Sequence, residues 1–456
     1  FLLDAGADPE PLEWTTLMLA IATGIVEEVR SELDDEPDLA ELDRWERTPF
    51  LLSLQTGDLE KVRLLAAVSE IDTLGNYSNT PLMHAIESRQ TGVLQWLLEQ
   101  GQNPDAKDDF GETALIMAAK SGATECVRVL IEAGADIALT DAREGEPTPI
   151  SDEEKAEFEE RMQGYLTGDL GDDFEGFDIS DMAEAETEGE RAIQLAANLD
   201  IVRLLVEAGE DLSAISPEMR AELVGLEVEG EPDCTPDDFE KGRQRRFGTS
   251  NPEKVEVPFW NAMTRSGATA WRARDLFGDT ELDDDSAVWS FARFGKSLTE
   301  LPDGRIIEIG GEHEDFYDVD FCIYNDVFVH HGGGKFEIYS YPEAVFPPTD
   351  FHSATLVGDF IYIIGSLGYP EGRFDGETPV YRLDINTLAI EKVETSGENP
   401  GWISSHRAVY KAESGEIEIF GGKVWGIDEV EKAEFYDENE LRYGLDLEQL
   451  VWRVIE

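Results

Sequence analysis

Residues 109–141, DFGETALIMAAKSGATECVRVLIEAGADIALTD, read as one complete supersecondary unit. Gly111 stands two residues before Thr113, where a tight turn needs a residue that tolerates positive φ. Thr113 sits at a helix start, where its hydroxyl can cap free backbone amides. Leu115, Met117, Ala118 and Ala119 gather on one side of a short helix, and the alanine pair lets a neighbour approach closely. Ser121-Gly122 breaks that helix. Cys126, Val127, Val129, Leu130 and Ile131 then form a second apolar stripe at helical spacing. Gly134 falls where a left-handed C-cap is expected. A turn, two short helices and a glycine exit cannot bury their apolar face alone, so stacked copies are required.

Copies surround it. Thr48-Pro49-Phe50 and Thr80-Pro81-Leu82 repeat the start of the first helix, with Thr16-Leu17-Met18 as a weaker form. The threonines at 16, 48, 80 and 113 are spaced by 32, 32 and 33 residues. This order of T-A-L-x-x-A-A, G-x-x-E-x-V and L-I-x-x-G-A-D resembles the ankyrin repeat. The resemblance implies an α-solenoid over residues 1–142. Leu17, Leu19, Ala20 and Ile21 are expected to face inward, as are Val62, Leu64 and Leu65 and, one repeat later, Val93, Leu94, Leu97 and Leu98. FLLDAGAD at residues 1–8 reads as the tail of a preceding unit, so the chain is expected to be a fragment or trimmed. Residues 143–190 break the period with 18 acids to 3 bases, an acidic insertion with one short helix near Asp152–Leu166. The pattern resumes at 191–213 as a final, shortened unit.

The 456 residues carry 100 acids against 36 bases, a formal net charge of −64. That balance excludes unaided nucleic-acid binding, which needs clustered Lys and Arg on phosphates. It fits either solubility in a saline medium or a basic protein partner. The sequence has no apolar run long enough for a membrane span. Cys126, Cys234 and Cys322 are too scattered for a disulfide framework, which suits a reducing, cytoplasmic setting.

Residues 214–244 read as a polar linker with Pro217, Pro232 and Pro236. Residues 245–288 follow as a basic-aromatic connector. Arg245, Arg246, Trp260, Arg272 and Arg274 could form a binding patch there, or the segment could be structural packing. Residues 258–277 could make one amphipathic helix docked between the two halves of the chain.

From Trp289 the period changes from helix to strand. RIIEIGG (305–311), FIYIIGS (360–366) and IEIFGG (417–422) are β runs that end in glycine, with Gly310, Gly365 and Gly421 spaced by 55 and 56 residues. His352-Ser353 and His406-Arg407 recur ahead of two of the runs, and Ser297 holds that place in the first. Phe336 aligns with Ile390 and Trp452, and Val329 with Leu383 and Leu445. Residues 289–456 therefore resemble kelch repeats, the four-stranded blades of a β-propeller. The fold class expected is multidomain α + β, an ankyrin solenoid followed by kelch-like antiparallel blades. Only three blades are found, fewer than the four to eight that close a propeller. Truncation at Glu456, a divergent blade from 230–290, or pairing of two chains through the β module would each account for the shortfall.

Catalytic motifs are missing: there is no nucleophile elbow, P-loop, metalloprotease helix, paired C-x-x-C or dinucleotide fingerprint. No cofactor is expected. One acidic loop holds Glu312, Glu314, Asp315, Asp318 and Asp320, residue types that suit a hard cation, although the spacing is not an EF-hand. More telling are Trp45, Tyr77 and Phe110, each three residues before its repeat threonine, at the tip of the turn. They either pack tip against tip or form a binding stripe, since aromatics are favoured interface anchors. Both resembled families mainly bind proteins, which implies a scaffold or adaptor without catalysis. The alternative is an enzyme or small-ligand protein with its site at the β-module loops, using the 312–326 acids and His331. A carbohydrate-binding surface protein is a third option.

Overall fold

The computed structural model describes residues 12–142, 189–279, 287–313, 321–427 and 434–455. The tail at 1–8, the acidic insertion with its expected helix at 152–166, and the acids at 314–320 lie outside those residues. The chain divides into two units, residues 1–210 and 211–456.

The first unit holds four helix pairs: Thr16–Thr23 with Val26–Asp34, Pro49–Thr56 with Leu59–Ala66, Pro81–Glu87 with Thr91–Glu99, and Ala114–Lys120 with Thr124–Glu132. Each first helix opens on a threonine whose hydroxyl accepts from the amide three residues on. The four bonds are Met18 N to Thr15, Leu51 N to Thr48, Met83 N to Thr80 and Ile116 N to Thr113, at 3.1–3.3 Å. The first cap is thus Thr15, one residue before the threonine that the spacing selects. That shift turns Met18 inward and leaves Leu19 exposed, while Leu17 and Ile21 are buried as expected. Gly111 and Gly134 hold φ of 85° and 86°, the left-handed backbone the turn and the C-cap demand. The final unit has one helix, Leu199–Glu207, capped by Asn198. Its first helix is reduced to a turn that still buries Ala192 and Ile193.

The second unit begins where a linker was expected. Residues 217–224 and 236–242 are helices, capped by Ser216 and Thr235 with Pro217 and Pro236 at their first positions. Those prolines are helix starters here, since a first-turn residue needs no N–H donor. The connector is two helices, Pro258–Ser266 and Ala270–Phe277, rather than one. Gly267 ends the first at φ 63°, and Thr269 caps the second.

Three consecutive antiparallel sheets follow, each with four strands in sequence order. The first has Ser297–Glu300, Ile306–Ile309, Val327–His330 and Phe336–Ser340. The second has Ser353–Val357, Phe360–Ile364, Val380–Asp384 and Ile390–Lys392. The third has Arg407–Lys411, Glu416–Phe420, Tyr443–Asp446 and Val451–Val454. Among the described residues they close into no barrel. Ile307, Ile309 and Val329 of the first sheet pack on Ile361, Ile363 and Leu383 of the second. Ile364 and Val380 of the second pack on Ile417, Leu445 and Trp452 of the third. The other face of the first sheet buries Phe328 and Ile338 with Phe239, Phe259, Trp260 and Trp289.

Outer edges are covered, which removes unpaired ladders. Glu253–Val255 pairs with the first sheet, Ser396–Gly397 with the third, and Asn251 bonds Ile390 N and O on the second at 2.9 and 2.7 Å. Two alignments shift by one residue. In the frame set by Gly310, Gly365 and Gly421, His330 pairs with Phe336 as Leu383 pairs with Ile390 and Leu445 with Trp452, so Val329 is one residue short of the place of Leu383. Phe336 thus holds the place of Ile390 and Trp452, while Val329 points to the opposite face, because side chains alternate along a strand. Likewise Ser297 matches Ser353 and Arg407 in register, so Lys296 is the residue at the leading His position.

Candidate protein-binding surface

Asp43 and Asp108 build two of the three aromatic turns. Asp43 accepts from the amides of Trp45 and Arg47 at 3.0 Å each, from Arg47 Nε at 2.9 Å and from Trp14 Nε1 at 3.1 Å. Burial would raise the Asp43 carboxyl, but the bonds and charge of Arg47 outweigh it and hold it below the usual carboxylate range. Asp108 accepts from Phe110 N and Glu112 N at 2.9 Å each. In the middle turn Gly75 takes the aspartate's place, where a Cβ would lie 2.3 Å from His84 Nε2. That turn is held instead by Ser78 Oγ donating to Asp109 at 2.6 Å and Asp109 N to Tyr77 O at 2.9 Å. The sequence signal for this device is an aspartate five residues before the cap threonine.

The turns present Trp45, Tyr77 and Phe110 at 49%, 56% and 46% exposure. Tyr77 and Phe110 also touch, with ring centroids 5.1 Å apart. The Arg47 guanidinium lies 4.8 Å from the Trp45 ring centroid. All three rings are thus held at their base and about half exposed.

The connector residues share no such surface. Trp260 is fully buried, stacked on Trp289 at 4.7 Å, and donates to Gly242 O at 2.6 Å. Arg274 is buried beside Asp279. Arg245 donates to Ile323 O and Tyr369 Oη. Arg246 and Arg272 are exposed and paired with Glu253 and Glu231. The basic-aromatic pattern is mostly packing, because the aromatics form the core under the first sheet and the arginines satisfy its rim.

Of the acidic loop, Glu312 is described and buried, in a short strand paired with Cys322–Ile323. Glu314, Asp315, Asp318 and Asp320 lie outside the described residues. No group of metal-ligating side chains occurs among the described residues.

Two buried clusters of charge were not visible in the sequence. Arg293 Nη2 and Trp289 Nε1 both donate to Asp326 Oδ2, at 3.0 and 2.9 Å, with Ser340 Oγ on Oδ1 at 2.8 Å. Glu308 accepts from Lys296 Nζ at 3.5 Å, pairs with His330 Nε2 at 3.2 Å and faces Arg220 Nε at 3.6 Å. Burial pulls the Lys296 ammonium down to about 7 against the attraction of Glu308. Glu308 is held far below its usual range; burial opposes this, but Lys296, His330 and Arg220 prevail. The side chains come from strands, a helix and the segments between them, so no local motif announces them.

A family model described as ankyrin repeats in three copies matches residues 17–108 and 69–141. The ankyrin repeat protein YahD of Escherichia coli (strain K12) is 32% identical over 146 residues, covering 29% of this chain and 72% of YahD. This chain belongs to the ankyrin repeat proteins. Other ankyrin repeat relatives are matched over a small part of their length. The ankyrin repeat and KH domain-containing protein mask-1 of Caenorhabditis elegans is 36% identical over 23% of this chain but 4% of its own. The B-cell lymphoma 3 protein homolog of Mus musculus is 32% identical over 23% of this chain and 24% of its own. The solved ankyrin repeat domain of Bcl-3 aligns over 45% of this chain and 74% of its own at 22% identity and a TM-score of 0.30, too loose a likeness to argue from. Ankyrin repeats generally mediate protein–protein interaction, and these matches fall on the solenoid that carries the three turns.

Proposed function

We propose that this chain is a protein-binding scaffold whose ankyrin unit captures its partner through the row Trp45, Tyr77 and Phe110. The observation that carries this reading is the combination of rigid turns and half-exposed rings described above. Large aromatics held in place gain contact area at low entropic cost, and such residues dominate interface energies. The partner is a protein with a basic or neutral face, since a charge of −64 repels an acidic one.

The β-rich unit is a set of three kelch-like blades in this reading. Its support is the strand-for-strand register that underlies the 55- and 56-residue recurrence. The far face of the third sheet carries Arg407, Lys411, Glu416, Glu418 and Arg453, with Arg453 on Glu416 at 2.7 Å. That charged face weighs against burial of a second copy there. Free Cys126, Cys234 and Cys322 suit a reducing, cytoplasmic setting, and among the described residues no helix is long and apolar enough to cross a membrane.

Affinity capture with the full chain tests the reading. Trp45→Ala with Phe110→Ala should lower recovery of the specific partner by at least about tenfold, each anchor being worth roughly 2 kcal/mol. Undiminished capture by a variant with native helicity would refute the aromatic row.

A further inference from the structure

A cleft of about 410 Å³ opens in the β-rich unit, against the second sheet. Its walls include Tyr369, Phe374 and Trp402, and its rim includes Glu343, Glu371 and Glu377. The volume is in the range of small-ligand and side-chain pockets.

The aromatic wall is built and fixed. Trp402 is buried and donates from Nε1 to Leu367 O at 3.1 Å. Arg373 pins the loop that carries Phe374 by donating to Leu367 O and Gly368 O at 2.9 Å each. Phe374 stands beside Trp402, ring centroids 6.4 Å apart, and is 59% exposed. An aromatic face of this kind attracts a cation. The chain repeatedly satisfies such faces itself: Arg245 lies 5.9 Å from the Tyr369 centroid, Arg382 lies 4.6 Å from Phe360, and Arg442 lies 4.5 Å from Phe420. No guanidinium or ammonium is found over Phe374 among the described residues.

The charge points the same way. Among the described residues Lys392 is the one base that lines the cleft, and it is 3.6 Å from Glu394. Glu343, Glu371 and Glu377 have no ion pair with any described residue. An anionic guest would meet these carboxylates and the net charge of −64. A neutral guest would use the rings and leave the carboxylates unmatched. A guanidinium on a flexible apolar stem uses both, with its stem along the rings and its head at the rim.

We propose that this cleft receives an arginine side chain from a basic peptide segment of a partner protein. The site is separate from the ankyrin turns and stands or falls without them.

Calorimetric titration of the full chain with the capped peptide Ac-Ala-Arg-Ala-Arg-Ala-NH2 tests it, with a second peptide in which citrulline replaces each arginine. Citrulline keeps the shape and removes the charge. The arginyl peptide should bind at least about tenfold more tightly than its citrulline twin. Phe374→Ala and the pair Glu371→Gln/Glu377→Gln should each weaken it about fivefold or more. The pair Glu27→Gln/Glu32→Gln, acids on a helix of the ankyrin unit, removes as much charge elsewhere and should leave binding within about twofold. The substituted side chains are exposed except Glu32, which is half-buried, and melting curves check the fold. Equal binding of the citrulline peptide, no binding of either, or an equal loss in the remote pair would overturn the proposal.

Discussion

Glu308 is the residue whose loss the β-rich unit should tolerate least. It is fully buried and is the acid that the Lys296, His330 and Arg220 side chains converge on. Glu308→Gln leaves two cations buried against a neutral amide. Removing one partner of a buried ion cluster costs about 3–5 kcal/mol, because the remaining charge is uncompensated. The urea midpoint of the variant should fall accordingly, and an unchanged midpoint would show the cluster to be solvated. His352 and His406 make a second prediction. Burial lowers them to about 3 and about 4, and each is hydrogen-bonded 2.8 Å from the serine of the preceding sheet. The unfolded chain binds these two protons near pH 6.5 and the folded chain does not. Stability is therefore retained above pH 6.5 and falls as the pH drops toward 4, by up to about 2.7 kcal/mol per unit for both. His406→Gln should remove about half of that slope between pH 7 and 5. A slope equal to the wild type would mean that His406 is not buried neutral.

At the scale of elements, the glycines between sheets separate two causes. Gly365 and Gly421 both end the second strand of their sheets, at φ 75° and 64°. A Cβ on Gly365 would lie 2.3 Å from Ile403 O, whereas one on Gly421 meets nothing within 4 Å. Gly421→Ala should cost only the left-handed backbone term, about 1–2 kcal/mol. Gly365→Ala should cost about 1–3 kcal/mol more, through the clash with the Ile403 carbonyl in the strand Trp402–Ser404, outside the three sheets. Equal melting temperatures for the two would contradict the close approach of Gly365 to that strand. The same elements show what a sequence discloses. Threonine caps, glycine exits and apolar stripes are local, so the ankyrin pairs were legible almost to the residue. Ser216-Pro217 and Thr235-Pro236 are just as local but were read as linker, because a proline marks both a break and a helix start. The one-residue slip at Val329 arose because its neighbour His330 is the residue in register with Leu383 and Leu445, and spacing alone does not fix strand register.

At the scale of the whole molecule, the candidate site was legible only in part. Trp45, Tyr77 and Phe110 could be found from period and position, since a repeat places equivalent residues in equivalent turns. Asp43 and Asp108, which hold two of those turns, were missed because their role depends on hydrogen bonds to amides further along the same turn. For Trp260 and Arg274 the choice between packing and a patch stayed open, since a list of residue types cannot tell a core from a patch. The cleft beside Trp402 was invisible, as its walls come from segments far apart in sequence. The central claim is that partner recognition lies on the three aromatic turns. Amide hydrogen exchange of the full chain, with and without the captured partner, tests it most directly. Protection concentrated in residues 43–48, 75–80 and 108–113 is the predicted result. Protection confined to other segments, with those turns exchanging as fast as in the free chain, would contradict it.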